Sequence, residues 1–105
     1  MSWRDAKQDG EARARLILDQ VGSARPASVR LTDYEDEPCY FFLHPGAEWG
    51  FEYQRMVTRA VQRILKRDGV TVRLKTIRLA DYVDWLAENG LENSTETRAR
   101  FIAEQ

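Results

Sequence analysis

The sequence predicts an α+β two-layer sandwich in the order α-β-β-α-β-α-α, a small three-stranded sheet with one long central helix packed on it. The first observation is Trp49 to Arg67, the longest amphipathic run in the chain. At about 100° per residue, Trp49, Tyr53, Met56, Val57, Ala60, Val61, Ile64 and Leu65 share one arc, opposite Glu48, Glu52, Arg55, Arg59 and Lys66. The second is the strict alternation of Val29 and Leu31, and of Val70, Val72 and Leu74, with polar residues, as in strands with one wet face. The third is Cys39 to His44, apolar in both parities and rich in aromatics, which reads as a central strand.

Taken in order, Ser2 with Asp5 three residues on has the spacing of a weak capping box. Trp3, Ala6, Gly10, Ala14, Ile17, Leu18 and Val21 then return to one helical face. Gly10 costs up to about 1 kcal/mol against alanine, so this helix is expected to be firm from Glu11. Ala6, Gly10 and Ala14 would admit close backbone approach or else fill surface near a frayed end. Gly22-Ser23-Ala24-Arg25-Pro26 ends it. Ser28 to Asp33 and Cys39 to His44 are close enough to form an antiparallel hairpin around Tyr34 to Pro38. Pro45-Gly46 leads into the long helix, which has acids first, bases last and Asp68-Gly69 behind it. A third strand, Val70 to Lys75, precedes a helix over Ala80 to Glu88 whose inner face is set by Leu79, Val83 and Leu86. Asn93 and Ser94 stand three residues before Glu96 and Thr97, offering two cap registers for a last helix, Thr95 to Glu104, with Ala99 and Ile102 inward and Phe101 beside them.

Composition narrows the function classes. A chain of 105 residues predicts one domain, 1–105, large enough to bury a core without disulfide or metal support. Hydrophobic residues at 43% and charged residues at 31% suit an ordinary folded domain. With 16 basic and 17 acidic residues the net charge is −1, which disfavours nucleic-acid binding by bulk charge. Cys39 is the only cysteine, so no intrachain disulfide forms and a reducing compartment is indicated. The longest apolar run, Cys39 to Leu43, is far shorter than the roughly 20 residues of a spanning helix. The charged opening MSWRDAKQDGEARAR lacks an apolar export core. A cytoplasmic protein without a membrane partner is the expectation.

Chemical motifs are sparse. His44 ends the predicted central strand with Glu48 and Glu52 nearby, but no nucleophile partners it, and capping a strand end or helix start explains it better. Cys39 reads as an inert buried thiol. One histidine and one cysteine cannot build a zinc site in a single chain. Asp33, Glu35, Asp36 and Glu37 lack calcium-loop spacing and read as a solvated hairpin tip. Gly46 and Gly50 are not followed by the Lys-Ser/Thr of a phosphate loop, and no cofactor is implied. Arg55, Arg59 and Arg63, with Lys66 and Arg67, form a ladder that would follow phosphates or an acidic partner. Dipole complementarity and pairing of Glu52 with Arg55 or Arg59 explain it better than a binding role does. Trp85 falls off the arc of its helix and is either covered by Phe101 and Ile102 or marks a binding surface. The functional expectation is a non-enzymatic protein–protein interaction or regulatory module, homodimeric in one form. The alternative is a nucleic-acid-binding accessory protein using Arg55, Arg59, Arg63, Lys66 and Arg67, and behind it stands a small enzyme centred on His44.

Overall fold

The first helix, α1 (Trp3–Val21), meets the long helix, α3 (Phe51–Arg67), through small residues. The computed structural model describes residues 3–105, so the cap expected from Ser2 lies outside the described residues. Ala6, Gly10 and Ala14 are buried on α1. A Cβ placed on Gly10 would stand 2.5 Å from the Ala60 Cβ and 3.3 Å from the Val57 carbonyl oxygen. The two helices therefore cross closely, and only glycine fits at this position without a shift of its neighbours. Close packing on α3 outweighs the propensity cost of Gly10, so α1 is continuous from Trp3 and does not wait for Glu11.

The chain divides into two compact units. The first comprises the chain through Leu31 with Glu48–Leu74, and the second Thr32–Ala47 with Lys75–Gln105. The core of the first unit gathers Ala6, Ala14, Tyr53, Val57, Val61, Leu65 and Val70, flanked by half-buried Ile17, Leu18, Val29, Leu31, Trp49, Met56, Ile64 and Val72. The predicted apolar arc of the long helix is thus the buried one, although the helix starts at Phe51 behind Gly50 and also buries Phe51, Gln54 and Thr58. Its chief partner is α1, a helix, rather than the sheet alone. The Tyr53 hydroxyl donates to the Asp9 carboxylate across the helix pair. That bond leads the causes that push the Tyr53 hydroxyl up to about 12. At the far end, Gly69 takes φ +80° and closes α3, while Arg25 Nε donates to the Asp68 carbonyl at 3.2 Å and its Nη1 to the Gly22 carbonyl at 3.0 Å.

The three-stranded sheet is not formed. Two strands, β1 (Ala27–Tyr34) and β2 (Val70–Ile77), pair in parallel as a two-stranded sheet. The antiparallel hairpin is likewise replaced, because Cys39 to His44 belongs to a helix, α2 (Glu37–Leu43). The reason lies immediately upstream. Asp36 is the N-cap and its side chain accepts from the Cys39 N–H at 2.9 Å, with Pro38 in the first turn, where its missing N–H is harmless. At helical period the run is no longer apolar on every side. Cys39, Tyr40 and Leu43 are buried, whereas Phe41 and Phe42 point outward. Strand alternation also holds only in part: Val29, Leu31, Val70 and Val72 join the first core, whereas the buried strand residues of the second unit are Tyr34 and Ile77, at the opposite parity.

In the second unit, α4 (Leu79–Asn89) and α5 (Thr95–Ala103) pack through aromatic rings. Tyr82 is fully buried, 5.1 Å from the Phe101 ring, and its hydroxyl donates to Asn93 Oδ1 at 2.8 Å. The inner face of α4 is therefore set by Tyr82, and Val83, predicted inward, is 51% exposed. Likewise Phe101 is the buried residue of α5, whereas Ala99 is exposed and Ile102 half-buried. Ser94 supplies the cap, in a capping box with Thr97. The acidic run does structural work here: Asp36 caps α2, Glu35 Oε1 accepts from the first N–H of α4 at 3.1 Å, and Asp33 Oδ1 accepts from the Tyr34 N–H at 2.9 Å. It is not a hairpin tip.

Gly10→Ala should destabilise the protein although alanine favours helix by up to about 1 kcal/mol, because overpacking typically costs about 1–3 kcal/mol. Gly46→Ala, which meets nothing within 4 Å, should stay within about 0.5 kcal/mol. Urea denaturation of both variants checks the contrast; an unchanged or raised midpoint for Gly10→Ala would refute the close crossing.

Candidate functional site

Five cations of α3 were the leading candidates from sequence, and the structure gives them unequal surroundings. Arg55 is half-buried with its guanidinium 5.3 Å from the centre of the Phe51 ring. Arg63 lies 5.5 Å from the centre of the Trp3 ring, an intramolecular cation–π contact. Arg59, Lys66 and Arg67 are exposed. A ladder with two members resting on rings is a less uniform phosphate track than the spacing alone suggested.

Arg67 is brought together with residues that sequence reasoning did not single out. It lines a cleft of about 200 Å³ with Ile64 from α3 and Glu11, Arg15 and Leu18 from α1. Leu18 and Ile64 are half-buried and form its apolar part. The signal was present in the spacing: Glu11, Arg15 and Leu18 follow one another at four and three residues, and Ile64 and Arg67 at three, so each set forms a stripe on its helix. What the spacing does not carry is that α1 and α3 are neighbours.

Trp85, the remaining candidate, is half-buried in the second unit. Its ring stacks with Tyr82 at 6.2 Å and 21° and meets Phe101 at 5.5 Å, with the Arg100 guanidinium 5.4 Å from its centre. Arg100 also reaches Glu104 at 3.8 Å. The last helix thus supplies the intramolecular cover. The exposed apolar surface of this unit is elsewhere: Phe41 and Phe42 on α2 are 39% and 41% exposed, and Val83 on α4 is more so. Phe42 is 6.2 Å from the Tyr82 ring, the residue before Val83. Sequence reasoning missed this pair because it placed both residues in a central strand; the helix-start signal Asp36-Glu37-Pro38 would have turned them outward.

His44 follows α2 and is held by aromatic neighbours. Its Nε2 and the Tyr34 hydroxyl are 2.6 Å apart, and the Tyr34 and Tyr40 rings lie 5.3 and 5.5 Å from the imidazole. Burial, with the positive charge of Arg98 adding to it, lowers its pKa from 6.5. Cys39 is buried with Sγ 3.4 Å from the Ile77 carbonyl oxygen, which accepts from the thiol. Burial, reinforced by the charge of Glu35, raises that thiol to about 11. That shift disfavours the thiolate, the form that attacks electrophiles and binds metals. Among the described residues no group of three or more His, Cys, Asp or Glu is placed to hold a metal ion, and no helix is long and apolar enough to cross a membrane. No protein-family profile and no curated protein matches the sequence.

Two measurements follow from these environments. Cys39, shifted from 9.0 to about 11, should present roughly a hundredfold less thiolate at neutral pH than an unshifted thiol. Labelling by a thiol reagent should therefore be slow in the native protein and rapid in denaturant; prompt native labelling would contradict a buried Cys39. His44 is the only histidine, so its ring-proton NMR signal titrates alone. Its midpoint should lie below 6.5 and rise in Arg98→Gln. Because the folded state resists protonation, the associated stability is complete above the unfolded pKa near 6.5 and declines as pH falls from there through the folded value. A midpoint at or above 6.5 would show the ring to be solvated or charge-stabilised.

Proposed function

We propose that the chain is a non-enzymatic protein-recognition module that docks a protein partner, a second copy being one form, through the outer side of α2. The observation that carries this reading is the adjacent pair Phe41 and Phe42, each about two-fifths exposed. Large aromatic side chains are the residues that most often dominate interface energetics. Here they are also pre-positioned. The Asp36 cap, the His44 N–H donating to the Tyr40 carbonyl at 2.9 Å, and the burial of Cys39, Tyr40 and Leu43 hold α2 from the other side. An aromatic pair fixed before binding loses little conformational freedom on docking. Val83 on α4 is exposed as well, and exposed Glu37, Asp81 and Asp84 supply charge on the same two helices, the polar composition expected around an apolar centre. A single buried thiol fits a reducing, cytoplasmic setting.

The test is site-specific photocrosslinking from position 42 in the living source cell, with Lys75, an exposed residue of β2, as control position. A discrete adduct from position 42 and none from position 75 is expected, and the adduct identifies the partner or a second copy. The reconstituted complex should weaken by about 2 kcal/mol or more in Phe41→Ser/Phe42→Ser, a hot-spot loss. That variant should melt within a few degrees of the unaltered protein, since both rings are partly solvated. Undiminished binding by the double variant would remove α2 from the interface.

A further inference from the structure

We propose that the cleft between α1 and α3 binds a carboxylate attached to a short apolar group, the chemistry of an apolar amino acid or of the C-terminal residue of a peptide. The cleft lies in the first unit and does not rest on the reading of α2. Its lining is chemically mixed in a specific way. Arg15 comes from one helix and Arg67 from the other, so two guanidiniums flank the same depression. Among the described residues neither has a carboxylate within ion-pair distance, and Glu11 has no cation within that distance. Leu18 and Ile64 supply apolar surface to the same cleft.

Each part of the lining constrains the ligand. Two guanidiniums recognise an oxyanion through directed N–H donors, and a carboxylate matches that fork geometry. A phosphate would match it too, but its second negative charge is opposed by Glu11 in the same small space. Glu11 instead calls for an N–H donor beside the carboxylate. Leu18 and Ile64 call for an aliphatic group. An α-carboxylate, an α-nitrogen and an aliphatic side chain on one carbon atom answer all three. The cleft is shallow and open to solvent, and its roughly 200 Å³ leaves room for one amino-acid residue at the surface. The nitrogen is an ammonium in a free amino acid and an amide N–H in a peptide end, and Glu11 accepts from either.

Methyl NMR of the full chain, following Leu18 and Ile64, tests this with L-leucine, N-acetyl-L-leucine, N-acetyl-L-leucinamide and inorganic phosphate. The two carboxylate probes should shift both signals with saturation. N-acetyl-L-leucinamide should bind at least about tenfold more weakly than N-acetyl-L-leucine, as expected for lost charge-assisted hydrogen bonds. Arg15→Gln and Arg67→Gln should each weaken N-acetyl-L-leucine by about tenfold, whereas Arg59→Gln, outside the cleft, should leave it unchanged. All three arginines are exposed, so the variants should keep the unaltered melting profile. Tighter L-leucine assigns the site to a free amino acid, and tighter N-acetyl-L-leucine to a chain end. The proposal is overturned if neither carboxylate probe shifts Leu18 and Ile64. It is equally overturned if the amide or phosphate binds as tightly, or if both glutamine variants retain full affinity. None of these outcomes bears on Phe41 and Phe42, so the two readings stand or fall separately.

Discussion

The contact on which the first unit depends is the meeting of Gly10 with Ala60. Helices held apart by larger side chains would leave Val57, Val61 and Leu65 facing a gap, and filled interiors are what apolar burial requires. Small residues at the crossing let α1 close over that stripe. The same closeness lets the Tyr53 hydroxyl reach Asp9 and the Arg63 guanidinium rest on Trp3. Beyond the crossing, Leu18 and Ile64 stay half-buried and Arg15 and Arg67 come to flank one cleft. Cleft and core are two results of one small-residue contact.

The second unit is organised differently, by caps and rings. Its acidic residues are donors' partners rather than a solvated tip, satisfying N–H groups at the starts of α2 and α4 that would otherwise be orphaned. Tyr82 fills the space between α4 and α5 with its hydroxyl held by Asn93 and Thr97, so a polar handle is buried without penalty. Covering Trp85 and Tyr82 while leaving Phe41, Phe42 and Val83 in water divides the apolar residues into a structural set and an available set. That division is the physical basis for assigning recognition to α2 rather than to Trp85.

The chain's one thiol and one imidazole are both held against local partners. Burial pushes the thiol pKa up and the imidazole pKa down, and each group is directed towards a local partner, Ile77 or Tyr34. What the two units offer at their surfaces is an exposed aromatic pair, Phe41 and Phe42, on one and a cleft lined by Arg15 and Arg67 on the other.

Residues interacting with others close in sequence were legible from the sequence. The amphipathic stripe of α3, its glycine stop, the alternation of Val29 with Leu31 and of Val70 with Val72, and a cap at Asn93 or Ser94 all follow from local period and cap chemistry, whereas the choice of Ser94 and the packing role of Ala6, Gly10 and Ala14 came with the structure. The misreading of Cys39 to His44 was also local in origin: a six-residue apolar run carries too little period to separate strand from helix, and Asp36-Glu37-Pro38 was the deciding signal. Losing that strand removed the hairpin and left β1 to pair with β2 in parallel. Which side of α4 turns inward, and which members of the arginine ladder meet aromatic rings or a second helix, only the tertiary structure decided. Those outcomes depend on pairings such as Tyr82 with Phe101 and Arg63 with Trp3, and on Arg67 and Arg15 lining one cleft, which bring together residues of different elements. Period along the chain orients a side chain about its own axis, but it does not specify the neighbour that side chain will meet.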